Sequence, residues 1–257
     1  MRPLVTVAVP SFNQGEFLDQ ALASIFSQNV PVEVFVADGG STDNSLDVIR
    51  RWVPRLLGWR SYPDSGQASA INEGIKHGAA PYVCWLNSDD WLLEGGLSRL
   101  LLALDGQPVA TAMAYGKARD AVHATGHQRD AFVRPFDAHR MAVRCLISQP
   151  ATLIRRSAWE AVGGVDESLH LALDYDLWWR LYKSFGRPLF VDSVVAVNRE
   201  HGGTKTQSLR QQHYNEAIQV VRKHYGRVPL KWWVAQPYAV WFRGFTHWLE
   251  SRVRRGS

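Results

Sequence analysis

The stretch Val83-Cys84-Trp85-Leu86-Asn87-Ser88-Asp89-Asp90-Trp91-Leu92 decides the fold that we predict. Its first four residues are apolar, and the four polar residues after them end in two adjacent carboxylates. A short apolar run with a polar stop is typical of a buried parallel strand. Ligands of open α/β sheets bind beyond the carboxyl ends of such strands, where paired carboxylates can hold a divalent cation. A charged turn without a ligand is the alternative, because Asn-Ser-Asp-Asp also suits a turn.

The composition of the 257 residues suits one large α/β domain or two small ones, since 46% are hydrophobic and 21% are charged. Cys84 and Cys145 form no C-x-x-C motif, and Cys84 lies inside the apolar strand, which favours a core residue in a reducing, cytoplasmic compartment. The first ten residues are too short for the apolar part of a signal sequence, and no run of 18 apolar residues predicts a membrane span.

Strands and helices alternate three times over the first 90 residues or so. The patterns predict strands at 4–9, 32–37, 59–62 and 83–86 and helices at 16–28, from a cap at Ser41 or Thr42, and at 67–76. This order predicts a doubly wound, mostly parallel sheet with right-handed crossovers. It also places four polar loops along one sheet edge, namely 10–13, 38–40, 64–66 and 87–90.

The second half of the chain is less regular. We predict a helix at 95–104, a strand at 109–115, and a loop or hairpin over the site at 116–140. An amphipathic helix is predicted at 173–184, with Asp174 and Asp176 in its first turn, and a last strand at 190–197 precedes a helix at 209–224.

Several motifs, in this order, resemble the family-2 glycosyltransferases of the GT-A fold. They are Val5-Thr6-Val7-Ala8-Val9-Pro10-Ser11-Phe12-Asn13, Asp38-Gly39-Gly40-Ser41-Thr42-Asp43, Asp64-Ser65-Gly66-Gln67, Asn87-Ser88-Asp89-Asp90, Gln149-Pro150-Ala151-Thr152, Asp174-Tyr175-Asp176-Leu177-Trp178 and His201-x-x-x-Lys205-Thr206. The resemblance covers about residues 3–206. It implies inverting transfer of a sugar from a nucleoside diphosphate donor, aided by Mn²⁺ or Mg²⁺, with UDP as the foremost nucleotide and GDP or dTDP as alternatives.

The resemblance also implies roles for single residues. Asp174 aligns with the catalytic carboxylate, and Asp38 would bond the base. Asp89, Asp90 and His201 would lie at the metal and the diphosphate, and Lys205 would contact phosphate. The residues expected to bind the nucleotide are Pro10, Ser11, Asn13, Asp38, Asp64, Gln67 and Asp89. The chain departs from the common pattern at Asn87 and Leu173, where Asp and Glu often stand, so which carboxylate ligates the metal directly stays open.

The chemistry explains why such residues are needed. A sugar–nucleotide bond breaks when the charge on the leaving diphosphate is stabilised, which a divalent cation does without a proton. His201 as a further ligand would shift the preference toward Mn²⁺. A single displacement needs one general base, for which Asp174 is the candidate. Because Asp174 stands in a helix first turn, the helix dipole predicts a low pKa for its carboxyl.

Each of these residues also has a purely structural interpretation. Asp38-Gly39-Gly40 is compatible with an ordinary turn, and His201 and Lys205 with solvated loop positions. Asp174 and Asp176 both suit a helix start, and we assign Asp176 to structure only. The tryptophans Trp85, Trp178 and Trp179 lie on regular elements and are predicted to be core residues.

We divide the chain into a glycosyltransferase domain at 1–206, with a nucleotide-binding half at 1–105 and an acceptor half at 106–206, and a helical extension at 207–257.

Residues 199–257 contain 11 Lys/Arg and 3 Asp/Glu, a balance of +8, so the net charge of +5 leaves −3 on residues 1–198. The basic, Trp-rich part at 225–257 predicts an amphipathic segment on the anionic inner face of a membrane, for a lipid-linked saccharide acceptor. Packing on the domain or in a homodimer is the alternative; nucleic acid is not expected, since the site edge is acidic.

Two rival functions stay open at this point. A nucleotidyltransferase that makes a nucleotide sugar would have a Gly-rich loop with Arg or Lys after the first strand, where this chain has Pro10-Ser11-Phe12-Asn13. A non-catalytic scaffold that binds a nucleotide sugar would have the same motifs without turnover.

Overall fold

Four parallel strands from the first third of the chain form one half of the sheet. The computed structural model describes residues 2–204 and 209–236. In the first half its elements are β1 Val5–Ser11, α1 Gly15–Phe26, β2 Val32–Asp38, α2 Ser45–Trp52, β3 Gly58–Ser61, α3 Gln67–His77 and β4 Tyr82–Trp85. They alternate because each apolar strand is followed by a helix with one apolar face, which crosses back over the sheet.

The second half of the fold is mixed. Its elements are β5 Trp91–Leu92, α4 Gly96–Asp105, β6 Met113–Val122, β7 Gln128–Asp130, α5 Ala138–Val143, β8 Thr152–Arg155, α6 Arg156–Ala161, α7 Leu173–Phe185, β9 Leu189–Glu200, α8 Arg210–Tyr225 and α9 Leu230–Gln236. Helices α7 and α8 pack against each other, and Ala217, Val220 and Val221 of α8 are buried in the same core cluster as α7.

One nine-stranded sheet joins the two halves. The strand order is β3-β2-β1-β4-β8-β6-β9-β5, and β7 pairs with β6. Strands β3, β2, β1 and β4 are parallel to one another, whereas β8 is antiparallel to both β4 and β6, and β9 is parallel to β6. The carboxyl ends of β1, β2 and β4 therefore meet at one edge, as the sequence predicted.

Helices cover both faces of the sheet and bury two clusters of side chains. On one face Trp85 stacks on Trp178 at 5.8 Å between ring centroids, with α7 above it. On the other face Leu18 and Ile25 of α1 pack with Cys84. Trp85, Trp178 and Trp179 are at most 1% exposed, which confirms their predicted place in the core.

Two elements show how the boundaries differ from the predictions. The second helix starts at Ser45 with Asn44 before it, and Ser41 does not cap it, because the Ser41 hydroxyl donates to Asp38 instead. The strand predicted at 109–115 is β6, which runs on to Val122 and forms a hairpin with β7. Pairing with β9 along its length extends β6 through a polar stretch that has no strand pattern of its own.

Candidate active site

The turn after β2 is built around the buried carboxylate of Asp38. Its Oδ2 accepts hydrogen bonds from the backbone N–H of Gly40 and Ser41 at 3.1 and 2.9 Å and from the Ser61 hydroxyl at 2.6 Å. Its Oδ1 accepts from the Ser41 hydroxyl at 2.5 Å, and Asp38 is 0% exposed. A direct bond from Asp38 to a base would require one of these donors to leave, so the base contact stays a prediction.

The loop after β1 lies against this turn. Asn13 has a positive φ of 52°, which Asn tolerates better than most residues, and its Oδ1 accepts from the backbone N–H of Thr42 at 2.8 Å. Ser11 is 5% exposed, and its hydroxyl has no hydrogen-bond partner within the described part of the chain. Phe12 is 57% exposed, and a Cβ on Gly39 would lie 3.2 Å from its ring. These loops form an open, partly aromatic shelf beside Pro10.

Arg60 organises the next turn and was not predicted as a site residue. Its guanidinium donates to Asp64 Oδ2 at 2.7 Å, to Glu73 Oε2 at 2.9 Å and to the Asp38 carbonyl at 2.5 Å. Asp64 Oδ1 in turn accepts from the backbone N–H of Gly66 at 2.8 Å. The predicted nucleotide residue Asp64 is thus an ion-pair partner at the same edge as Asp38. The only sign of this role in the sequence is an arginine at position 60, two residues before the turn that begins at Tyr62.

Three amide side chains cross the edge between the two halves. Gln67 Nε2 donates to Asn87 Oδ1 at 2.7 Å, and Asn87 Nδ2 donates to Gln149 Oε1 at 3.3 Å and to Asp90 Oδ2 at 3.2 Å. Gln149 Nε2 donates to the Trp85 carbonyl at 2.8 Å. An Asp at position 87 could accept but not donate, so the departure from the common motif fits a network that needs Asn87 as a donor.

Asp89 and His201 meet although 112 residues separate them in sequence. His201 Nε2 lies 3.0 Å from Asp89 Oδ2, and their side chains are 10% and 19% exposed. The His201 ring packs on Phe17 of α1 at 4.7 Å between centroids. The structure therefore brings two of the three predicted metal residues into contact.

Asp90 lies deeper than Asp89. It is 6% exposed, its Oδ1 accepts from the backbone N–H of Arg199 at 2.9 Å, and its Oδ2 accepts from Asn87. Burial, together with the charge of Asp89, raises the pKa of the Asp90 carboxyl well above its usual range. Both oxygens of Asp90 are used inside the chain, which leaves Asp89 as the better-placed carboxylate of the pair.

Arg199 is a further residue that the sequence analysis missed. Besides the bond from its backbone to Asp90, its Nε donates to the Asp89 carbonyl at 2.8 Å and a terminal nitrogen to Gln20 Oε1 at 2.6 Å. The guanidinium lies 4.7 Å from the Phe17 ring centroid and 4.5 Å from that of Trp91. Arg199 thus fixes the Asp89-Asp90 turn to α1 and to β9. Its position two residues before His201 is the only sequence signal.

The donor set fits a divalent cation only in part. No group of three or more His, Cys, Asp and Glu residues within 2–204 and 209–236 could enclose a metal ion. A carboxylate and an imidazole side by side, as in Asp89 and His201, are nevertheless suitable ligands for Mn²⁺, and diphosphate oxygens and water commonly complete such a site. The residues present therefore fit a cation that arrives with a nucleotide better than one held by protein alone.

Asp174 lies at the start of α7 and is partly buried. Its Oδ1 accepts from the backbone N–H of Tyr175 at 2.7 Å, and no side-chain donor bonds it in the structure as described. Burial raises the pKa of Asp174 to about 6, and the backbone N–H bonds offset only part of that effect. The predicted low pKa is wrong, because desolvation outweighs the helix-start effect on which the prediction rested.

The segment 145–149 links Asp174 to the edge. Burial and the charge of Asp174 raise the pKa of the Cys145 thiol, which donates to the Ile147 carbonyl at 3.4 Å. Gln149, two residues further, bonds Asn87 at the end of β4. The loop before α7 also reaches the nucleotide side, since a Cβ on Gly66 would lie 4.0 Å from His170 Nδ1. The segment 145–149 and the loop before α7 therefore connect the start of α7 with the acidic edge.

Asp176, two residues after Asp174, has a structural environment, which agrees with our assignment. Its side chain is 0% exposed and bonds Arg180 Nε at 2.6 Å, Lys223 Nζ at 3.0 Å and His224 Nε2 at 2.7 Å. These donors, against the opposing effect of burial, hold the pKa of Asp176 well below its usual range. Lys205, the predicted phosphate contact, lies outside the described residues, as does most of the basic segment 225–257.

Comparison with known proteins decides the family. The sequence profile described as glycosyl transferase family 2 matches residues 6–160, which is more than half of the chain. The chain belongs to glycosyl transferase family 2. The predicted family and α/β GT-A fold are thereby confirmed, and the polar ends of β1, β2 and β4 all lie within the matched range.

Two relatives illustrate the breadth of the family. The chain is 26% identical over 223 residues to a chondroitin synthase of Pasteurella multocida (strain Pm70), covering 85% of this chain and 23% of the relative. It is 27% identical over 210 residues to a PGL/p-HBAD biosynthesis glycosyltransferase of Mycobacterium bovis (strain BCG / Pasteur 1173P2), covering 78% of each. The chain thus spans about a quarter of the first relative and most of the second.

Solved structures share the fold. Staphylococcus aureus TarS 1-349 in complex with UDP-GlcNAc superposes with a TM-score of 0.70 at 18% identity, over 88% of this chain and 68% of that one. The mannosyltransferase PcManGT from Pyrobaculum calidifontis, in complex with GDP-Man and Mn²⁺, gives 0.68 at 21% identity, over 90% and 67%. At these identities the likeness establishes architecture only.

Proposed function

We propose that this protein is an inverting glycosyltransferase that moves a sugar from a nucleoside diphosphate donor to a hydroxyl group of an acceptor. The observation that carries the proposal is the contact of Asp89 with His201 at the acidic edge after β4. Asp174, a carboxylate of raised pKa at the start of α7, is the proposed general base. The names of the relatives, which refer to polysaccharide and glycolipid synthesis, support the same reaction class.

In the proposed reaction the nucleotide lies on the shelf formed by the loops after β1 and β2. Asn13 and the Asp38 turn would set the position of the nucleoside, and Gln67 and Asp64 would border it. UDP is the proposed nucleotide, with GDP as the main alternative, since the structural neighbours were solved with UDP-GlcNAc and with GDP-Man. Lys205 is retained as a proposed phosphate contact.

Asp89 and His201 would hold Mn²⁺ or Mg²⁺, with Asp90 and Arg199 fixing the turn that presents Asp89. The cation supplies stabilisation of negative charge on the leaving diphosphate. Asp90 then acts through the loop and not as a direct ligand, because it is 6% exposed and its oxygens accept from Asn87 and the Arg199 backbone. The PcManGT complex with Mn²⁺ supports this choice of metal.

The chemical step is a single displacement. The acceptor hydroxyl oxygen forms a bond to the anomeric carbon while the bond from that carbon to the diphosphate oxygen breaks. The hydroxyl proton moves to Asp174, and the electron pair of the broken bond stays on the diphosphate. A carboxyl with a pKa of about 6 is mostly ionised at neutral pH yet basic enough to accept this proton.

We further propose that the acceptor is a saccharide or a lipid-linked saccharide handled on the cytoplasmic face of a membrane. No helix in the described part of the chain is both long and apolar enough to cross a bilayer. The basic and Trp-rich composition of 225–257 supports contact with an anionic surface, and a second copy of the chain is the alternative partner.

The test begins with binding of UDP, GDP, dTDP and CMP, each measured by calorimetry with Mn²⁺ and with EDTA. We expect one nucleoside diphosphate to bind at least about tenfold more tightly with Mn²⁺ than with EDTA. The reason is that a cation held by two protein groups, Asp89 and His201, would take its other ligands from the diphosphate and water. The matching nucleotide sugars are then offered with saccharide acceptors, and free nucleotide is measured. Metal-dependent binding without any turnover would favour the scaffold; release of diphosphate from a nucleoside triphosphate and a sugar phosphate would favour the nucleotidyltransferase.

A further inference from the structure

The loop that leads into α7 is held by a carboxylate from a different helix. Glu216 of α8 is 9% exposed, and its Oε2 accepts from the backbone N–H groups of His170, Leu171 and Ala172 at 3.2, 2.8 and 3.0 Å. Its Oε1 accepts from Gln212 Nε2 at 3.1 Å. Three consecutive amides directed at one oxygen form a concave anion site, which here is filled from within the chain.

This contact compensates for a weak helix start. Helix α7 has Ala172 at its N-cap, and Ala has no side-chain oxygen to accept a backbone N–H. A negative charge near the amino end of a helix is favourable, and Glu216 supplies that charge from 44 residues away. The start of α7 is therefore stabilised by Glu216 of α8 and not by a capping residue in its own sequence.

Helix α8 holds the same turn at a second point. Lys223 and His224 bond Asp176 at 3.0 and 2.7 Å, so α8 contacts the chain just before Asp174 and just after it. Asp174 itself receives no bond from α8 among the hydrogen bonds of the described residues. The orientation of the Asp174 side chain therefore depends on the backbone before and after it. Glu216 holds the backbone on the amino-terminal side.

We propose that Glu216 is a positioning residue that fixes the turn carrying Asp174. The inference rests on the proposed function of Asp174 as general base. Loss of the Glu216 bonds would let residues 170–172 and the first turn of α7 shift, and displacement of a reacting group by about 1 Å can lower a rate by about 10²-fold. Nucleotide binding would change much less than kcat, because its proposed contacts come from the ends of β1, β2 and β4, from Asp64 and Gln67 and from His201, none of which Glu216 bonds.

The test compares Glu216→Met with Lys223→Met. Glu216→Met removes the acceptor of the amides of 170–172 at similar side-chain size, whereas Lys223→Met removes the contacts to Asp166 and Asp176 and leaves those amides bonded. For Glu216→Met we expect kcat to fall by about 10- to 10²-fold with KM for the donor within about twofold of wild type. For Lys223→Met we expect both constants to stay within about twofold, because Arg180 and His224 still bond Asp176.

Hydrogen exchange supplies a readout that does not need activity. The amides of Leu171 and Ala172 should exchange faster in Glu216→Met than in wild type, while those of β1 and β4 keep their protection. If Glu216→Met does not fold, Gln212→Ala, which removes the hydrogen bond to Glu216 Oε1, should lower kcat in the same direction by about two- to threefold.

Two results would overturn the proposal: kcat of Glu216→Met within twofold of wild type, or a loss of donor affinity as large as the loss of kcat. Failure of the proposed function looks different. In that case wild type turns over no donor, or Asp174→Asn retains full activity, whereas the exchange of the Leu171 and Ala172 amides still reports whether Glu216 holds the turn.

Discussion

The carboxylates of the acidic edge at 87–90 and those of the first turn of α7 at 173–176 differ in their hydrogen-bond partners. At the edge, Asp90 is bonded on both oxygens and Asp89 is paired with an imidazole. In the turn, Asp174 has a backbone donor alone among the described residues, whereas Asp176 has three side-chain partners, Arg180, Lys223 and His224. A carboxylate whose oxygens are bonded by several donors inside the protein has a structural role. Within the turn of α7, Asp174, with its raised pKa, is the carboxylate able to take up a proton near neutral pH.

The substitution Asp174→Asn tests this difference with the largest expected effect. We expect kcat to fall by about 10²- to 10⁴-fold, which is the usual contribution of a general base, with nucleotide affinity unchanged. In wild type, kcat should decline as pH falls below about 6, because the base becomes protonated. Full activity in Asp174→Asn, or a pH profile with no acid limb near 6, would remove Asp174 from the mechanism.

The same substitution should raise stability. The folded-state pKa of Asp174 lies above the unfolded value of about 3.9, so its ionisation favours the unfolded chain as pH rises. The neutral amide avoids that cost. Thermal unfolding at pH 8 and at pH 5 should therefore show a larger advantage for Asp174→Asn at the higher pH.

Asp176→Asn should have the opposite effect. Breaking a buried charge network by removing one partner costs about 3–5 kcal/mol of unfolding free energy. The folded-state pKa is lowered, so the contribution of Asp176 is present above the unfolded value of about 3.9 and is lost as pH falls below it. Urea unfolding at pH 7 and at pH 3 should show the difference from wild type shrinking in acid.

Asp47→Asn, at a side chain that is 70% exposed and paired with Arg50, is the matched control and should change stability by less than about 1 kcal/mol. An equal loss in the control, or a loss in Asp176→Asn that does not depend on pH, would contradict the assigned role of the buried network.

Asn87→Asp tests the edge with a smaller expected effect. The new carboxylate would face Asp90, now 3.2 Å from Asn87 Nδ2, and would lose both donated bonds, at a cost of about 1–3 kcal/mol. Thermal shift should show a greater loss in EDTA than with Mn²⁺ and nucleotide, since a bound cation would offset the added charge. Asn215→Asp, exposed on α8, is the control; an identical loss with and without Mn²⁺ would separate Asn87 from the proposed metal site.

Much of the architecture could be predicted from sequence, because short apolar strands with polar ends carry a local signal. The acidic turn after β4 and the turn after β2 were found in this way. The contact of His201 with Asp89 was expected only through the family resemblance, since nothing in the local pattern pairs residues that are 112 positions apart.

What could not be predicted depends on distant surroundings. A dipole argument gave Asp174 a low pKa, because burial of that carboxyl is contributed by other elements and has no local pattern. Arg60, Arg199 and Glu216 were missed for a related reason. Each is a single charged residue whose partners come from elsewhere in the chain, and periodicity identifies the buried face of an element but not the partner of a charge.

The dependence of α7 on Glu216 has a consequence for the order in which the chain is made. Strands β1 to β4 are complete once residue 85 has been synthesised, and their pairing needs only short crossovers. The amides before Asp174 have to wait for a partner that is translated 44 residues after the last of them. During biosynthesis the four parallel strands therefore precede the turn before α7, whose contacts with Glu216 are among the later ones to form.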